Sequence, residues 1–379
     1  MQSQNLITSY NQDNQIPSQQ PPSTLPLPHL EDEISSFDDV AMAIAYPTVT
    51  QQFEEPPQKK EDDDESGEIS TSTTIDGRYQ IVKRFGKDTT SRKQVYLVTD
   101  THLNQLVVLK FFTPPEQWEF LEEVEANLRV SASSHRQVLM GKFVGFDEKK
   151  VAVPLCGEMY HLYAYIILPF CQHGTVLDLL MKANELNRKI SLNLVKYLFR
   201  STLLALYELQ SMSGLNHCDL KPDNVVIDEN FIVKLIDYGH AQKRGVPISK
   251  TTGTPQYMAP EIKFSSSYLP EGADVFNLGV YLYILMFQNV PFASADPRDP
   301  FYRFVCHGRF QEFFTRSNTS LQGIPLDGLH VIWSSLNLQA HQRPSITDLM
   351  NSPFVRLSQN ESMMITDDLK QEILSILLA

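Results

Sequence analysis

The chain has 379 residues, 42% of them hydrophobic, which is enough for one domain with a sizeable core and additional terminal segments. Its net charge of −13 is concentrated in residues 1–75, where 14 Asp and Glu accompany only two Lys, while the remaining 304 residues carry 31 acids and 30 bases. This acidity argues against nucleic-acid binding by residues 1–75, because like charges repel phosphates.

Residues 1–75 are rich in Gln, Ser, Pro, Asp and Glu and show almost no sustained periodicity. Such a composition cannot bury enough apolar surface to offset the entropy of ordering, so we predict a disordered tail. A mixed acidic and apolar stretch, Ser36–Ala45, is either a docking peptide or, as we favour, a weakly structured spacer. The acidic run Glu61–Glu65 is typical of a solvated spacer.

Regular structure is expected from residue 76. Strand-like runs separated by polar turns predict three β-strands, at Tyr79–Phe85, Gln94–Thr99 and Leu106–Phe112. A helix is predicted over Glu116–Val130, where Phe120, Val124 and Leu128 recur at every fourth position. Two further strands are predicted, at Lys150–Pro154 and Leu162–Leu168.

Helical patterns dominate the rest of the chain. They predict helices at Val176–Lys182, Leu192–Met212, Ala273–Phe287, Leu329–Leu336 and Ile346–Met350. A strand-rich first part and a helix-rich remainder predict an α+β fold of two lobes with a cleft between them. The predicted domain covers residues 76–355, with an N-lobe at about 76–170 and a C-lobe at about 171–355.

The tail at 356–379 contains a predicted amphipathic helix, Thr366–Ala379, with a capping residue and one apolar face. This helix either packs on the domain, as we favour, or binds a docking partner.

Four cysteines are widely scattered and none forms a C-x-x-C pair, so a cysteine metal site is not expected: Cys156, Cys171, Cys218 and Cys306. No apolar run is long enough to span a bilayer, and no signal peptide or lipid-anchor motif is visible. We therefore expect a soluble intracellular protein, cytoplasmic or nuclear, with neither a membrane nor a nucleic acid as its partner.

The most informative stretch is His-Cys-Asp-Leu-Lys-Pro-Asp-Asn at residues 217–224, followed by Asp-Tyr-Gly at 237–239. It sets carboxylates, an amide and an ammonium group at fixed spacing. Phosphoryl transfer needs this set, because one carboxylate receives the substrate hydroxyl, oxygen ligands hold magnesium, and a cation neutralises the moving phosphate. The stretch resembles the H-R-D-L-x-x-x-N catalytic loop and the D-F-G metal motif of eukaryotic protein kinases.

Four more segments resemble motifs of the same family and occur in the family's order: Val107–Lys110, Ala259–Glu261, Asp274–Gly279 and Arg343-Pro344. Together the six motifs cover roughly residues 79–355. The chain is thereby identified as similar to the eukaryotic protein kinase superfamily, whose fold has a small β-rich N-lobe and a large helical C-lobe.

The resemblance implies a role for each polar group of the motif. Asp219 would orient a Ser or Thr hydroxyl and take its proton late in the transfer, and Lys221 would meet the γ-phosphate. Asn224 and Asp237 would hold two Mg²⁺ ions, which prefer oxygen ligands. A lysine at position 221, in Asp-Leu-Lys-Pro, resembles the serine/threonine kinases.

Lys110 would bind the α- and β-phosphates of ATP. A lysine that faces inward needs a partner, and the candidates on the next helix are Glu122, Glu123 and Glu125. The likeness of residues 120–124 to the family's F-x-x-E-V favours Glu123.

Apolar side chains would line the adenine slot, with Leu168 as the gatekeeper: Val95, Val108, Leu168, Phe170, Cys171, Val226 and Ile236. The loop that would cover the phosphates keeps only Gly86 and has two extra residues. Glycines matter there because a Cβ atom keeps the backbone away from phosphates. Three basic residues either supply charge to the phosphates or, as we favour, are simply exposed: Lys87, Arg92 and Lys93.

Cys218 stands where the family has an arginine that receives a phosphate on the activation segment. A thiol cannot form the paired, charge-assisted hydrogen bonds that an arginine makes to a phosphate. We therefore predict activity that depends little on phosphorylation at Ser249, Thr251 or Thr252. We expect the Cys218 thiol to be buried and inert.

Other positions are assigned supporting roles by the resemblance. Glu261 and Arg343 would form a buried ion pair, and Asp274 would brace the backbone of the catalytic loop. Thr254 would bond the catalytic Asp and Lys. The hydroxyl of Tyr238, which replaces a phenylalanine, needs a hydrogen-bond partner.

Two functions follow from the resemblance. The first is an active serine/threonine protein kinase that uses ATP and two Mg²⁺ ions on a protein substrate. The alternative is a pseudokinase, a nucleotide-binding scaffold or interaction module without transfer. The intact polar set favours the first, and the glycine-poor loop favours the second.

Overall fold

The computed structural model of the protein describes residues 74–85, 94–113, 116–132, 145–147, 151–155, 158–162, 164–316, 321, 323–356 and 364–379. The tail predicted at 1–75 lies outside the described residues except for its last two. Also outside them are Gly86 with the rest of loop 86–93, and Cys156.

A six-stranded antiparallel sheet forms the N-terminal part of the domain. Its strands are β1 (Thr74–Ile75), β2 (Tyr79–Phe85), β3 (Gln94–Asp100), β4 (Gln105–Phe112), β5 (Gly145–Asp147) and β8 (Ala164–Pro169). They are arranged in the order β1-β2-β3-β4-β8-β5. A separate hairpin pairs β6 (Val151–Leu155) with β7 (Glu158–Leu162). One helix, α1 (Gln117–Ala132), packs on the sheet.

The alternation along β4 explains where the sheet directs its side chains. Val107, Leu109 and Phe111 belong to one buried cluster with the neighbouring strands. Lys110 and Phe112 point to the other face, because successive strand residues face opposite sides. On that second face Phe112 joins a cluster with Phe120 and Val124 of α1, so β4 presents Lys110 towards α1.

Helices form most of the C-terminal part: α2 (Val176–Glu185), α3 (Leu192–Met212), α4 (Pro260–Phe264), α5 (Pro270–Phe287), α6 (Tyr302–Cys306), α7 (Phe310–Arg316), α8 (Leu326–Ser335), α9 (Ile346–Met350) and α10 (Asp367–Leu377). Helix α5 is buried along nearly its whole length, as a helix that is apolar all round should be. The predicted α+β fold with a β-rich N-lobe and a helical C-lobe is confirmed.

Two short hairpins position polar residues of the motifs identified in the sequence. Strand β10 (Val225–Ile227) pairs with β11 (Val233–Leu235), and β9 (Leu215–Asn216) pairs with β12 (Gln242–Lys243). Val225 lies opposite Leu235, and the N–H of Ile236 donates to the carbonyl of Asn224 at 3.0 Å. The residues that flank this hairpin, Asn224 and Asp237, therefore lie at the same end of it.

Several predicted boundaries were wrong. The strand predicted at Leu162–Leu168 is two strands, since β7 ends at Leu162 and β8 begins at Ala164. Residues 74–75, assigned to the tail, form β1, and Ile75 is 1% exposed in the core. Helix α5 begins three residues before its predicted start at Ala273, with Pro270 at its first position. A proline is suited to this position because its missing N–H would have no hydrogen-bond partner within the helix.

The sequence analysis also missed several short elements, among them the helices α4, α6 and α7 and the strands β5 and β7. The three helices have only five to seven residues and so too few turns to show a clear periodic pattern. Helix α9 is equally short, and its position was nevertheless predicted. Among the described residues, no helix combines the length and the apolar character that crossing a bilayer requires.

The C-terminal helix α10 packs on the domain, as favoured from the sequence. Ile373 and Ile376 are fully buried, and Glu372 accepts hydrogen bonds at 2.6 Å from both the N–H and the hydroxyl of Ser191, the residue that caps α3. Arg188 donates to the carbonyl of Ser375 at 3.0 Å. The apolar face of α10 is therefore covered by the domain itself.

Replacing Ile373 by alanine should lower the free energy of unfolding by about 2–5 kcal/mol, because it leaves a cavity under α10. Urea denaturation would measure this. Leu378→Ala, at a side chain 81% exposed in the same segment, is the matched control and should change little. An Ile373→Ala protein as stable as the wild type would contradict the packing of α10.

Candidate active site

Asp274 on α5 fixes the backbone of the catalytic loop. Its carboxylate accepts from the N–H of His217 at 2.9 Å and from the N–H of Cys218 at 2.7 Å. Burial raises the pKa of Asp274 to about 7, although the two N–H donors favour the ionised form. The bracing role predicted for Asp274 is confirmed. Cys218 itself has a φ of 61°, a conformation that costs a non-glycine residue energy and that these bonds maintain.

His217 connects the catalytic loop to the strand that precedes Asp237. The N–H of Asp219 donates to its Nδ1 at 3.3 Å, so the ring proton belongs on Nε2, which lies 2.9 Å from the carbonyl of Ile236. Burial lowers the pKa of His217, so the ring is neutral at physiological pH. The imidazole thus acts here as a structural link.

Asp219, Lys221 and Thr254 form the centre of the site. Lys221 Nζ lies 2.9 Å from Asp219 Oδ2 and donates to Thr254 Oγ1 at 2.5 Å, while the N–H of Thr254 donates to Asp219 Oδ1 at 2.6 Å. The bonds predicted for Thr254 are confirmed. Burial acts to raise the pKa of Asp219, but Lys221 and the hydrogen bonds from Lys221 and Thr254 outweigh it and hold the pKa below its usual range. Asp219 is therefore ionised at neutral pH.

Gly253 permits this approach and was missed by the sequence analysis. Its φ is +94°, and a Cβ there would lie 2.6 Å from the carbonyl oxygen of Cys218. Only glycine lets residues 253 and 254 lie this close to the catalytic loop. The Gly-Thr-Pro triplet at 253–255 was the available signal.

Asn224 is oriented by Asp219. Its Nδ2 donates to the carbonyl of Asp219 at 2.8 Å and lies 3.2 Å from Asp219 Oδ2. With the amide nitrogen committed to Asp219, Oδ1 is the atom of Asn224 suited to a hard cation.

A second cluster, centred on Lys110, lies between α1 and the Asp-Tyr-Gly motif. Lys110 Nζ lies 2.7 and 2.5 Å from the two carboxylate oxygens of Glu123 and 2.8 Å from Asp237 Oδ1. The structure thus selects Glu123 from the three candidate partners. Burial acts to lower the pKa of Lys110, but the carboxylates of Asp237 and Glu123 outweigh it and raise the pKa, so the amine stays charged.

The Asp-Tyr-Gly motif at 237–239 packs closely against this cluster. Asp237 has a φ of 65°, and a Cβ on Gly239 would lie 2.8 Å from Glu123 Oε2. The Tyr238 hydroxyl donates to the carbonyl of Leu235 at 2.8 Å, so the extra polar group of this residue is satisfied. A Cβ at residue 239 would therefore require the Glu123 carboxylate to shift away from the motif.

The structure brings together three of the seven residues predicted to line the adenine slot. Cys171 and Val226 are buried and contact each other, and Ile236 packs against them. Leu168 lies opposite Val108 in the sheet and packs against the buried cluster of α1. The remaining predicted residues are half-buried, on the strands or just after β8: Val95, Val108 and Phe170.

The two thiols near the site are poorly nucleophilic. Burial raises the pKa of Cys171 to about 12 and also raises the pKa of Cys218, whose side chain is 2% exposed. Because the thiolate is the reactive form, both cysteines are inert at neutral pH. This agrees with the buried, inert thiol expected at Cys218.

The predicted pair of Glu261 and Arg343 is present and bidentate. The two guanidinium nitrogens lie 2.6 and 2.7 Å from the two oxygens of Glu261. Arg343 also donates to the carbonyls of Gly272 and Asn337, both at 2.8 Å. The pair anchors the end of segment 237–261 to the helical lobe.

Comparison with known proteins agrees with the observed fold. The family model described as "Protein kinase domain" matches residues 79–355. The chain is 29% identical over 194 residues to the serine/threonine-protein kinase ksp1 of Schizosaccharomyces pombe, covering 49% of this chain and 38% of that protein. It is 31% identical over 199 residues to the serine/threonine-protein kinase Nek2 of Mus musculus, covering 50% and 43%.

A plant protein aligns over a longer stretch. The CBL-interacting protein kinase 24 of Oryza sativa is 28% identical over 251 residues, which cover 65% of this chain and 51% of that protein. The chain therefore spans about half or less of the length of these relatives.

Proposed function

Because the chain belongs to the protein kinase family, we propose that it is an active serine/threonine kinase, transferring the γ-phosphoryl group of ATP to hydroxyls of a protein substrate. The observation that carries this proposal is the contact network around Asp219. Lys221, Thr254 and Asn224 all bond this one carboxylate. A scaffold without transfer has no need of that arrangement.

In this proposal Asp219 orients the substrate hydroxyl and accepts its proton. A carboxylate with a lowered pKa is a weak base, so the proton moves late, when the bond to phosphorus is largely formed. Lys221 lies beside Asp219 and neutralises charge on the transferred phosphoryl group. Both groups act in a largely buried site, which strengthens their electrostatic effect.

Asn224 and Asp237 would hold the magnesium ions. Their amide and carboxylate oxygens suit Mg²⁺, and the paired strands β10 and β11 hold both residues at one end of a hairpin. Bound there, Mg²⁺ would neutralise the phosphate oxygens. Lys110, kept charged by its carboxylate partners, would bind the α- and β-phosphates.

The adenine ring would lie between the two lobes. The candidates to contact it are apolar, as such a pocket requires: Val95, Val108, Leu168, Phe170, Cys171, Val226 and Ile236. Gly86 would belong to the loop over the phosphates. ATP is an intracellular substrate, so we place the activity in the cytoplasm or nucleus.

The direct test is transfer of radiolabelled γ-phosphate from ATP to a generic protein substrate and to the chain itself, with and without Mg²⁺. We expect transfer that requires the metal. The rival function is a nucleotide-binding pseudokinase, favoured by the single glycine of loop 86–93. It predicts no transfer by folded protein, together with an ATP-dependent rise in Tm.

A docking partner is proposed for the acidic tail of residues 1–75 alone. The tail carries nearly all of the net charge, whereas the apolar face of α10 is covered by the domain. A basic partner surface would suit it.

Alanine at Ser249, Thr251 and Thr252 together should leave most of the kinase activity intact. Cys218 offers no guanidinium group for a phosphate, and Thr252 is 2% exposed with its hydroxyl 3.0 Å from His240 Nδ1. Steady-state kcat and KM of the triple variant would measure this. The double variant at Ser249 and Thr251 is the control that keeps the buried Thr252. Loss of activity in both variants would contradict the prediction.

A further inference from the structure

Two neighbouring glutamates on α1 contact different parts of the molecule. Glu123 is buried against Lys110, while Glu122 is half exposed and accepts from Lys250 Nζ at 3.0 Å. Adjacent residues of a helix point about 100° apart, so one turn of α1 can hold both contacts. Glu122, one of the three candidate partners of Lys110, therefore pairs with Lys250 instead.

The backbone of Lys250 is held by the helical lobe. The Tyr268 hydroxyl donates to the carbonyl of Lys250 at 2.9 Å, and Ile248 and Tyr268 exchange two backbone hydrogen bonds of 2.9 Å. Tyr268 lies just before α5. The pair of Lys250 and Glu122, called here the Lys250 bridge, therefore connects the helical lobe to the helix that carries Glu123.

Two exposed hydroxyl residues, Ser249 and Thr251, flank Lys250 directly. Their neighbour Thr252 is buried, so it is not accessible to a modifying enzyme. Besides Glu122, the exposed face of α1 near the bridge presents Glu125, whose Oε1 lies 2.8 Å from Arg129 Nη2 and 4.0 Å from Lys243 Nζ.

We propose that Ser249 and Thr251, whose phosphorylation is not expected to be needed for activity, are inhibitory phosphorylation sites that act by breaking the Lys250 bridge. A phosphate there would carry a charge of about −1.5 to −2. It would pair with Lys250, withdraw that lysine from Glu122, and repel the Glu122 carboxylate. Helix α1 would lose one of its contacts with the helical lobe, whose core also includes Ala126 and Val130 of α1, and Glu123 would hold Lys110 less firmly. This inference rests on the proposed kinase function and deepens it.

The modification is an ordinary phosphoryl transfer by a protein kinase, either another copy of this chain or a different one. The Ser or Thr hydroxyl oxygen forms a bond to the γ-phosphorus of ATP, and the bond from that phosphorus to the β–γ bridging oxygen breaks. ADP leaves with the electron pair, and the hydroxyl proton passes to the base of the modifying kinase.

Activity of four variants tests the proposal. The double variant Ser249→Glu/Thr251→Glu and the single variant Glu122→Gln should each lower kcat/KM by about two- to fivefold, the range expected when an exposed ion pair is lost. Combined, they should lower it little further, because both act through the same bridge. Ser249→Gln/Thr251→Gln has the same size without charge and should match the wild type. Activation by the glutamates, or full additivity, would overturn the proposal.

A charge exchange sharpens the test. Glu122→Lys with Lys250→Glu should restore a bridge of opposite polarity and near wild-type activity. In that background Thr251→Glu should no longer inhibit, because residue 122 is now basic. Inhibition of the same size in both backgrounds would show that the negative charge acts elsewhere.

Hydrogen exchange of residues 117–132 and 243–252 provides a readout without activity. Glu122→Gln and the double glutamate variant should raise amide exchange in both segments, and the double glutamine variant should not. If exchange rises in these variants but the wild-type protein transfers no phosphate, the proposed kinase function is wrong and the Lys250 bridge is still supported. If exchange is unchanged in the variants of an active kinase, only the proposed role of the Lys250 bridge is wrong.

Discussion

Replacing Asp219 by asparagine is expected to lower kcat by about 10²–10⁴-fold, the range typical of losing a general acid or base. An amide cannot accept the proton of the substrate hydroxyl. It would also turn one oxygen that now accepts hydrogen bonds into an NH₂ group facing donors. The Thr254 N–H and Lys221 Nζ point at opposite oxygens of this carboxylate, so either orientation of the amide opposes a donor.

Radiolabelled phosphate transfer, with purified wild-type and variant protein side by side, would measure this effect. The apparent affinity for ATP should change little, because Asp219 is proposed to contact the acceptor hydroxyl. Asp368→Asn makes the same chemical change at an exposed site on α10 and should leave kcat unaltered. Wild-type transfer by folded Asp219→Asn would remove this residue from the proposed catalytic role.

Arg343→Ala is expected to have the largest effect on stability, a loss of about 3–5 kcal/mol in the free energy of unfolding. The Arg343 side chain is 1% exposed, and its removal leaves the Glu261 carboxylate buried without its counter-charge. The carbonyls of Gly272 and Asn337 lose a donor as well. The guanidinium group also lies 5.0 Å from the centre of the Phe276 ring, so packing is lost together with charge.

Urea denaturation of Arg343→Ala and a surface control would measure the difference. Arg298 pairs with Asp296 at 2.7 Å, as short as the contacts of Arg343, but its side chain is 87% exposed. Arg298→Ala should therefore change the free energy of unfolding little. Equal losses in the two variants would contradict the importance we give to burial. Because Glu261 closes segment 237–261, Arg343→Ala should also lower kinase activity.

Much of the candidate active site could be predicted from the sequence because one short stretch resembles the catalytic motif of protein kinases. Asp219, Lys221 and Asn224 are at most five residues apart, so their chemistry can be read together. The fold class followed from strand-like apolar runs such as β4 and from helical patterns in long elements such as α3. The identity of the proposed catalytic groups was therefore determined by the sequence itself.

Some contacts between residues that are far apart in the sequence were not predicted. Lys110 and Asp237 are 127 residues apart, and their 2.8 Å contact was not anticipated. Glu122, Glu123 and Glu125 carry the same group on one helix, and only the rotation of α1 against β4 decides that Glu123 faces Lys110 and Glu122 faces Lys250. The sequence alone determined which chemical groups are present and the local elements that carry them. Tertiary structure decided which groups meet, because local propensity acts over a few residues whereas long-range contacts depend on how whole elements pack.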